Sequence, residues 1–211
     1  MEDQVKNEIH IMTLLNHENI INLLTYFEDH RNIYFILELA EDKHLYHKLR
    51  SQGKFEEKEA ATIIHDLLKA VDYLHTRDPP IIHRDIKAEN VLFIDSKAKL
   101  ADFGWSNLKD RVRTTYCGTP DYLAPEMVLQ KGHNEKVDVW TVGILAFELL
   151  NGKAPYTPPP GIDKDQANSM LEKNILKKDA VFVNEKCSSL AKDLVKKMLI
   201  KDYNERPAAS T

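Results

Sequence analysis

His83-Arg84-Asp85-Ile86-Lys87-Ala88-Glu89-Asn90 is the stretch on which the reading of this chain turns. It sets an Asn five positions after the Asp, with a Lys two positions after it. Asp102-Phe103-Gly104 follows behind the strand-like Lys99-Leu100-Ala101, and Ala124-Pro125-Glu126 completes the series. The first pattern alone arises by chance in roughly one chain in a thousand of this length, and all three in this order on the order of once in a billion. Around them, short apolar runs over 91–94 and 98–101 sit among long polar loops. Loops of that length inside a compact domain are usually functional.

Outward from this segment the periodicity is mostly helical. Upstream, Ile63, Leu67, Val71 and Leu74 share one face of a helix expected over 58–75, ended by Asp78-Pro79-Pro80. Val5, Ile9, Met12 and Leu15 mark an earlier helix. Strand-like runs over 20–27 and 33–39 flank a polar turn, the pattern of an antiparallel pair. Downstream, 136–150 is apolar almost all round, as in a buried helix. Surface helices are expected over 164–176 and 188–199, the second presenting Leu190, Leu194 and Met198 on one face. The fold class is therefore α+β: a scrap of sheet with one helix, then a mainly helical body.

Composition bounds the function. The chain has 211 residues, 43% apolar and 29% charged, ordinary for a globular protein. Its net charge of −4 argues against non-specific nucleic-acid binding, which needs a basic face. Cys117 and Cys187 fit no metal-ligand spacing and suit a reducing compartment. The first residues do not form a signal peptide, and the apolar run over 139–150 is too short and too polar to span a bilayer. No nucleic-acid and no membrane partner is expected.

The three motifs suit phosphoryl transfer, which is mostly positioning and charge neutralisation. Asp85 can accept the proton of an incoming hydroxyl. Asn90 and Asp102 offer hard oxygen ligands for Mg²⁺. Lys87 is a cation placed to neutralise the transferred group. A lone Asp or Asn in a loop is ordinarily a turn residue, and it is the constellation that carries the assignment.

Together these residues resemble the eukaryotic protein kinases, and within them the Aurora group of Ser/Thr kinases, from about Asp3 to Pro207. The stretches 101–106, 113–119, 121–127 and 133–140 carry the resemblance, with Trp105 directly after Asp-Phe-Gly the most group-specific mark. The resemblance implies a partial small lobe over 1–39 and a large lobe over 40–211, incomplete at its C-terminus. It implies ATP and Mg²⁺ as cofactors. It makes Glu8 the helix glutamate that pairs with a nucleotide-binding lysine, Leu37 the gatekeeper, Glu38, Leu39 and Ala40 the hinge, and Leu92 the residue under the adenine. Met12, Leu23, His83 and Phe103 resemble an apolar spine anchored by Asp138, and Glu126 resembles the acid that pairs with Arg206. Lys87 and Thr119 resemble the Ser/Thr rather than the Tyr class.

The resemblance also implies regulation and partners. Thr115, with Thr114 beside it, resembles the activating phosphorylation site, and Arg84 the phosphate's partner. Protein substrates with basic-flanked Ser or Thr are implied, with Glu89 receiving an upstream arginine. An activating protein partner on the small lobe is implied too, as is an intracellular setting in cytoplasm, nucleus, centrosome or spindle.

The sequence departs from the pattern in places. No G-x-G-x-x-G occurs, no V-A-I-K-like run precedes Glu8, and the last helix that the resemblance implies is missing after Arg206-Pro207, so both ends are expected to be truncations. Val112 stands where the group has a second Arg, Ala88 replaces a Pro, and Pro120 replaces a Leu. Two functions follow: an Aurora-like Ser/Thr kinase of which this is a piece, or a catalytically inactive, truncated kinase-like binding module.

Overall fold

The structure is a computed structural model that describes residues 2–41, 44–108 and 119–211. Helix α1 (Glu2–Thr13) leads into a hairpin of β1 (Leu23–Glu28) and β2 (Ile33–Leu37). Helices α2 (Leu45–Gln52) and α3 (Glu57–His75) follow, then β3 (Ile81–Ile82), β4 (Val91–Ile94), β5 (Lys97–Leu100) and β6 (Asn107–Leu108). The chain ends in α4 (Pro125–Val128), α5 (Lys136–Asn151), α6 (Lys164–Lys177) and α7 (Ser189–Met198). The strands form three antiparallel pairs, β1–β2, β3–β6 and β4–β5.

The hairpin turn is set by Asp29, whose Oδ1 accepts the N–H groups of Arg31 at 2.7 Å and Asn32 at 2.8 Å. Such local bonding is why Asp favours turns. The hairpin buries little of its apolar content: Leu24, Tyr26 and Phe27 are all at least half exposed. The body is the reverse. Thirteen of the sixteen residues of α5 are buried, and α3 packs Ile63, Leu67, Val71 and Leu74 inward as its periodicity predicts. Helix α5 approaches α7 so closely that a Cβ on Gly143 would lie 2.8 Å from the Met198 Cβ, hence the glycine.

Two connections tie α1 and the hairpin to the body. The loop after α1 runs along β5, with Leu100 N–H donating to Asn19 O and Ile21 N–H to Leu100 O, each at 2.9 Å. Glu18 in the same loop accepts from Lys69 of α3 and, at 2.8 Å, from Lys97 of β5. These bonds hold the Glu18 carboxyl far below its usual range, at about 2.

The structure departs from the sequence reading in three places. Helix α2 was not expected; only Leu45 and Leu49 anchor it, too few to show a period. The β3–β6 pair is two residues long on each side. Helix α7 is rotated from its expected face: Val195 and Met198 point inward, whereas Leu190 is 80% exposed. Its contact is with α5, and the close approach at Gly143 turns Met198 toward that helix and Leu190 away. No described helix is long and apolar enough to cross a membrane.

Candidate active site

The loop from His83 to Asn90 is held from below by one carboxylate. Asp138, in the first turn of α5, is fully buried. Its Oδ2 accepts the His83 N–H at 2.9 Å and its Oδ1 the Arg84 N–H at 2.8 Å, and His75 Nε2 lies 2.9 Å from Oδ2. Burial works to raise this carboxyl's pKa, but the His75 contact and the backbone donor outweigh it and hold it below the usual range. Arg84 takes a left-handed φ of 70°, a conformation that costs energy in a non-glycine residue and persists where surroundings over-determine it. Here Asp138 fixes its N–H, and its Nε donates to Trp105 O at 2.7 Å.

Above this anchor the chemistry-bearing side chains converge. Asp85 is almost wholly buried, and its Oδ2 lies 2.7 Å from Lys87 Nζ. Asn90 Nδ2 donates to Asp85 O at 2.8 Å and to Asp85 Oδ2 at 3.1 Å. With its donors so engaged, the Asn90 amide oxygen is the atom left to face a ligand. Thr119 closes the ring: Lys87 Nζ donates to its Oγ1 at 3.0 Å, and that hydroxyl lies 3.4 Å from Asp85 Oδ1.

Asp102 is exposed and also left-handed, with φ 65°. Its Oδ1 accepts the Gly104 N–H at 3.2 Å, and a Cβ on Gly104 would sit 3.2 Å from that oxygen and 3.5 Å from Glu8 Oε2. Glycine is what lets these two carboxylates and the backbone share one corner. Burial, then the charge of Asp102, raises the Glu8 pKa, partly opposed by a bond from the Phe103 backbone. No lysine or arginine among the described residues pairs with Glu8. Helix α1 is clipped to this segment by Gln4 Nε2 to Gly104 O at 2.8 Å and Asn7 Nδ2 to Ser106 O at 2.9 Å. Phe103 is fully buried and meets the His83 ring edge-on at 4.9 Å. Burial depresses the His83 pKa, which favours a neutral ring, and its Nε2 lies 3.2 Å from Ala101 O.

Of the expected hinge, Leu37 and Leu39 are exposed and Ala40 is half-buried; Leu92 is half-buried in β4. Glu38 does more than lend backbone. Its Oε1 accepts from the buried Lys99 at 2.8 Å and from the Asn22 N–H at 2.8 Å, and its own N–H donates to Asn22 O at 3.0 Å. Nothing in the spacing of Glu38 and Lys99 signals this clasp; the burial of a lysine in β5 is its only sign. Glu89 is exposed beside His44, and Tyr122 donates its hydroxyl to Glu148 on α5 nearby. Burial, then the charges of Glu89 and Asp121, raises the Glu148 pKa. Glu126 and Arg206 form a buried two-pronged pair at 2.8 and 3.1 Å. Thr114 and Thr115 lie outside the described residues.

The Asn90 amide oxygen and the Asp102 carboxylate are hard oxygen donors of the kind Mg²⁺ takes, and the free acceptor of Asn90 fits that ion.

The sequence profile of the protein kinase domain matches residues 1–211. The chain is 38% identical to a calcium/calmodulin-dependent protein kinase type 1 of Macrobrachium nipponense, over 97% of this chain and 59% of that protein. It is 47% identical to an Aurora kinase of Schizosaccharomyces pombe, over 76% of this chain and 45% of that one. It is 41% identical to Aurora kinase B of Mus musculus, over 94% and 55% respectively. The chain thus spans about half the length of these curated relatives. With the profile matched from end to end and the catalytic-loop geometry in place, the chain belongs to the protein kinase domain family.

Proposed function

We propose that the protein is a Ser/Thr kinase that moves the γ-phosphoryl group of ATP, with Mg²⁺, onto serine or threonine hydroxyls of proteins, in an Aurora-like role. The observation that carries this is the ring of Asp85, Lys87, Asn90 and Thr119. Such a ring holds a base, a cation and a free amide oxygen in fixed relation, which is the positioning that the acceptor side of phosphoryl transfer needs. Similarity to several Aurora kinases supports the enzyme over the binding module.

In this mechanism Asp85 orients the acceptor hydroxyl and takes its proton. Lys87, held between Asp85 and Thr119, offsets the charge on the transferred group. Asn90 and Asp102 would hold the cation, which would supply charge neutralisation for the phosphates. The backbone of Glu38, Leu39 and Ala40 would hydrogen-bond the adenine edge, with Leu37 as the gatekeeper and Leu92 as the apolar contact of the ring. Glu8 serves the nucleotide-binding lysine of a complete small lobe; the division at 39/40 into small and large lobes belongs to this same reading. Glu89, with Glu148 nearby, supports recognition of an arginine upstream of the acceptor. Phosphorylation of Thr115 or Thr114 would regulate the site through Arg84. An activating partner on the small lobe and an intracellular, centrosomal or spindle setting complete the proposal.

The test is transfer from labelled Mg-ATP to matched peptides bearing Ser, Thr or Tyr after an upstream Arg. Labelling of Ser and Thr but not Tyr is expected, with Asp85→Asn slowing transfer by about 10²–10⁴. Equal labelling of Tyr, or an unaffected Asp85→Asn, would overturn the assignment. A folded protein that labels nothing would return the choice to the binding module.

A further inference from the structure

The stretch over 173–201 carries eight lysines against three acidic residues, in a chain whose net charge is −4. Part of this charge is gathered at one cleft of about 670 Å³, between the extended segment after α6 and helix α7. Lys192, Lys196 and Lys201 line it together with Tyr156, Phe182 and a single acid, Asp179.

Several lysines of the chain are neutralised by a neighbouring carboxylate, and those of the cleft are neutralised by none among the described residues. Lys87, Lys97, Lys99 and Lys197 each stand within 2.8 Å of a carboxylate oxygen. Lys192 and Lys196 form no ion pair with any described residue. The acid whose field reaches Lys192 is Glu57, and its two oxygens already accept the Ser188 N–H and hydroxyl. Lys192 and Lys196 lie one turn apart on α7, where like charges repel. The helix dipole favours Lys196 in the last turn but gives no such help to Lys192 near the start. Lys201 is fixed in place, donating to Ile175 O at 2.6 Å and Lys178 O at 2.7 Å, with its ammonium 4.9 Å from the Tyr156 ring centre. Beside the cations stands an apolar shoulder: Phe182 packs on the core, while its neighbour Val181 is 72% exposed.

We propose that this cleft docks an acidic peptide segment of a partner protein, its carboxylates received by Lys192, Lys196 and Lys201 and an apolar side chain by the Val181–Phe182 shoulder. Charge complementarity selects the occupant. The lining offers lysine ammonium groups and no arginine fork, point charges that a row of carboxylates on a flexible segment can meet without a fixed two-pronged geometry. Three cations fall short of the four to eight that mark a polybasic membrane contact. A cleft walled by one helix and one extended segment is too small a basic face for a nucleic-acid duplex.

The test is fluorescence anisotropy of the full chain with a short labelled peptide alternating Glu or Asp with Leu and Phe. A peptide with the same apolar residues and Lys in place of the acids is the control. Saturable binding of the acidic peptide is expected, weakening as salt rises, and weakening at least about tenfold in Lys192→Glu/Lys196→Glu. Lys177→Glu/Lys186→Glu, outside the cleft, should bind as the unaltered chain does. Equal binding by the cleft variant, or no saturable binding, would overturn the proposal. So would equal affinity for a single-stranded oligonucleotide or for phosphatidylserine vesicles, which would mark the cleft as a general anion surface. Should the variant fold poorly, carbodiimide coupling of the peptide to the unaltered chain gives the same answer. Coupling at Lys192 or Lys196 supports the site, and coupling confined to other lysines refutes it.

Discussion

The catalytic loop and the β1–β2 hairpin are both short irregular pieces of one chain, yet they are supported in opposite ways. The loop rests on a buried carboxylate of a buried helix; five of its first six residues are buried, and the remaining one, Lys87, is held in the polar ring. The hairpin has its backbone ladder and one contact face; Leu24 is 64% exposed and Phe27 53%. The difference teaches where pre-organisation resides. Asp85, Lys87 and Asn90 inherit their geometry from α5, whereas the hairpin and the Glu38 segment after it depend on a few polar ties. Those ties are the Glu38–Lys99 clasp, the Glu18 ion pairs and the bonds along β5.

The largest expected effect breaks the body. Arg206→Ala leaves Glu126 buried without its partner, which typically costs about 3–5 kcal/mol. Denaturant unfolding should show a correspondingly lower midpoint; a loss under about 1 kcal/mol would mean that the buried pair is not what holds α4 to the C-terminal segment.

A smaller effect sharpens the other side of the comparison. Lys99→Met removes the cation from the Glu38 clasp and should cost about 1.5–3 kcal/mol, as for a hydrogen bond to a charged group. Amide exchange should speed up at Glu38 and Ile36 and stay unchanged in α5. Uniform acceleration throughout the chain would show that the two regions unfold as one.

The smallest effect is a pH dependence. The folded Glu18 pKa of about 2 lies below its ordinary value of 4.5. Its ion pairs therefore add stability above pH 4.5, lost as pH falls through 4.5 toward 2. Glu18→Gln should be slightly less stable than the unaltered chain at pH 7 and no different near pH 2. Because the pair is exposed, added salt should shrink the gap. A gap that persists at low pH would assign the effect to something other than charge.

Much of this was legible in the sequence, for physical reasons that also mark the limit. Helices α3 and α5 carry enough apolar residues to show a period or its absence, and both appear where expected. The catalytic loop was legible because its chemistry demands fixed residue types at short spacing, and the structure brings Asp85, Lys87 and Asn90 within reach of one another. Contacts between distant residues left no local trace. Lys99 meets Glu38 across 61 positions and Tyr122 meets Glu148 across 26, and neither pair has a periodic or motif signature. The rotation of α7 was hidden because Leu190, Leu194 and Met198 form as good a stripe as the one that is buried; only the neighbouring Gly143 decides between them. The left-handed conformation of Arg84 was hidden too, since arginine does not announce a positive φ; that of Asp102 is more in keeping with its type, because Asp visits this region more often than most residues.

Native-state hydrogen exchange, read residue by residue, tests the central claim most directly. The His83 and Arg84 amides, both bonded to Asp138, should exchange only with the global unfolding that also exposes α5, while β1 and β2 amides exchange through smaller openings. Catalytic-loop amides exchanging as fast as those of the hairpin would contradict it, because the loop would then owe nothing to the body beneath it.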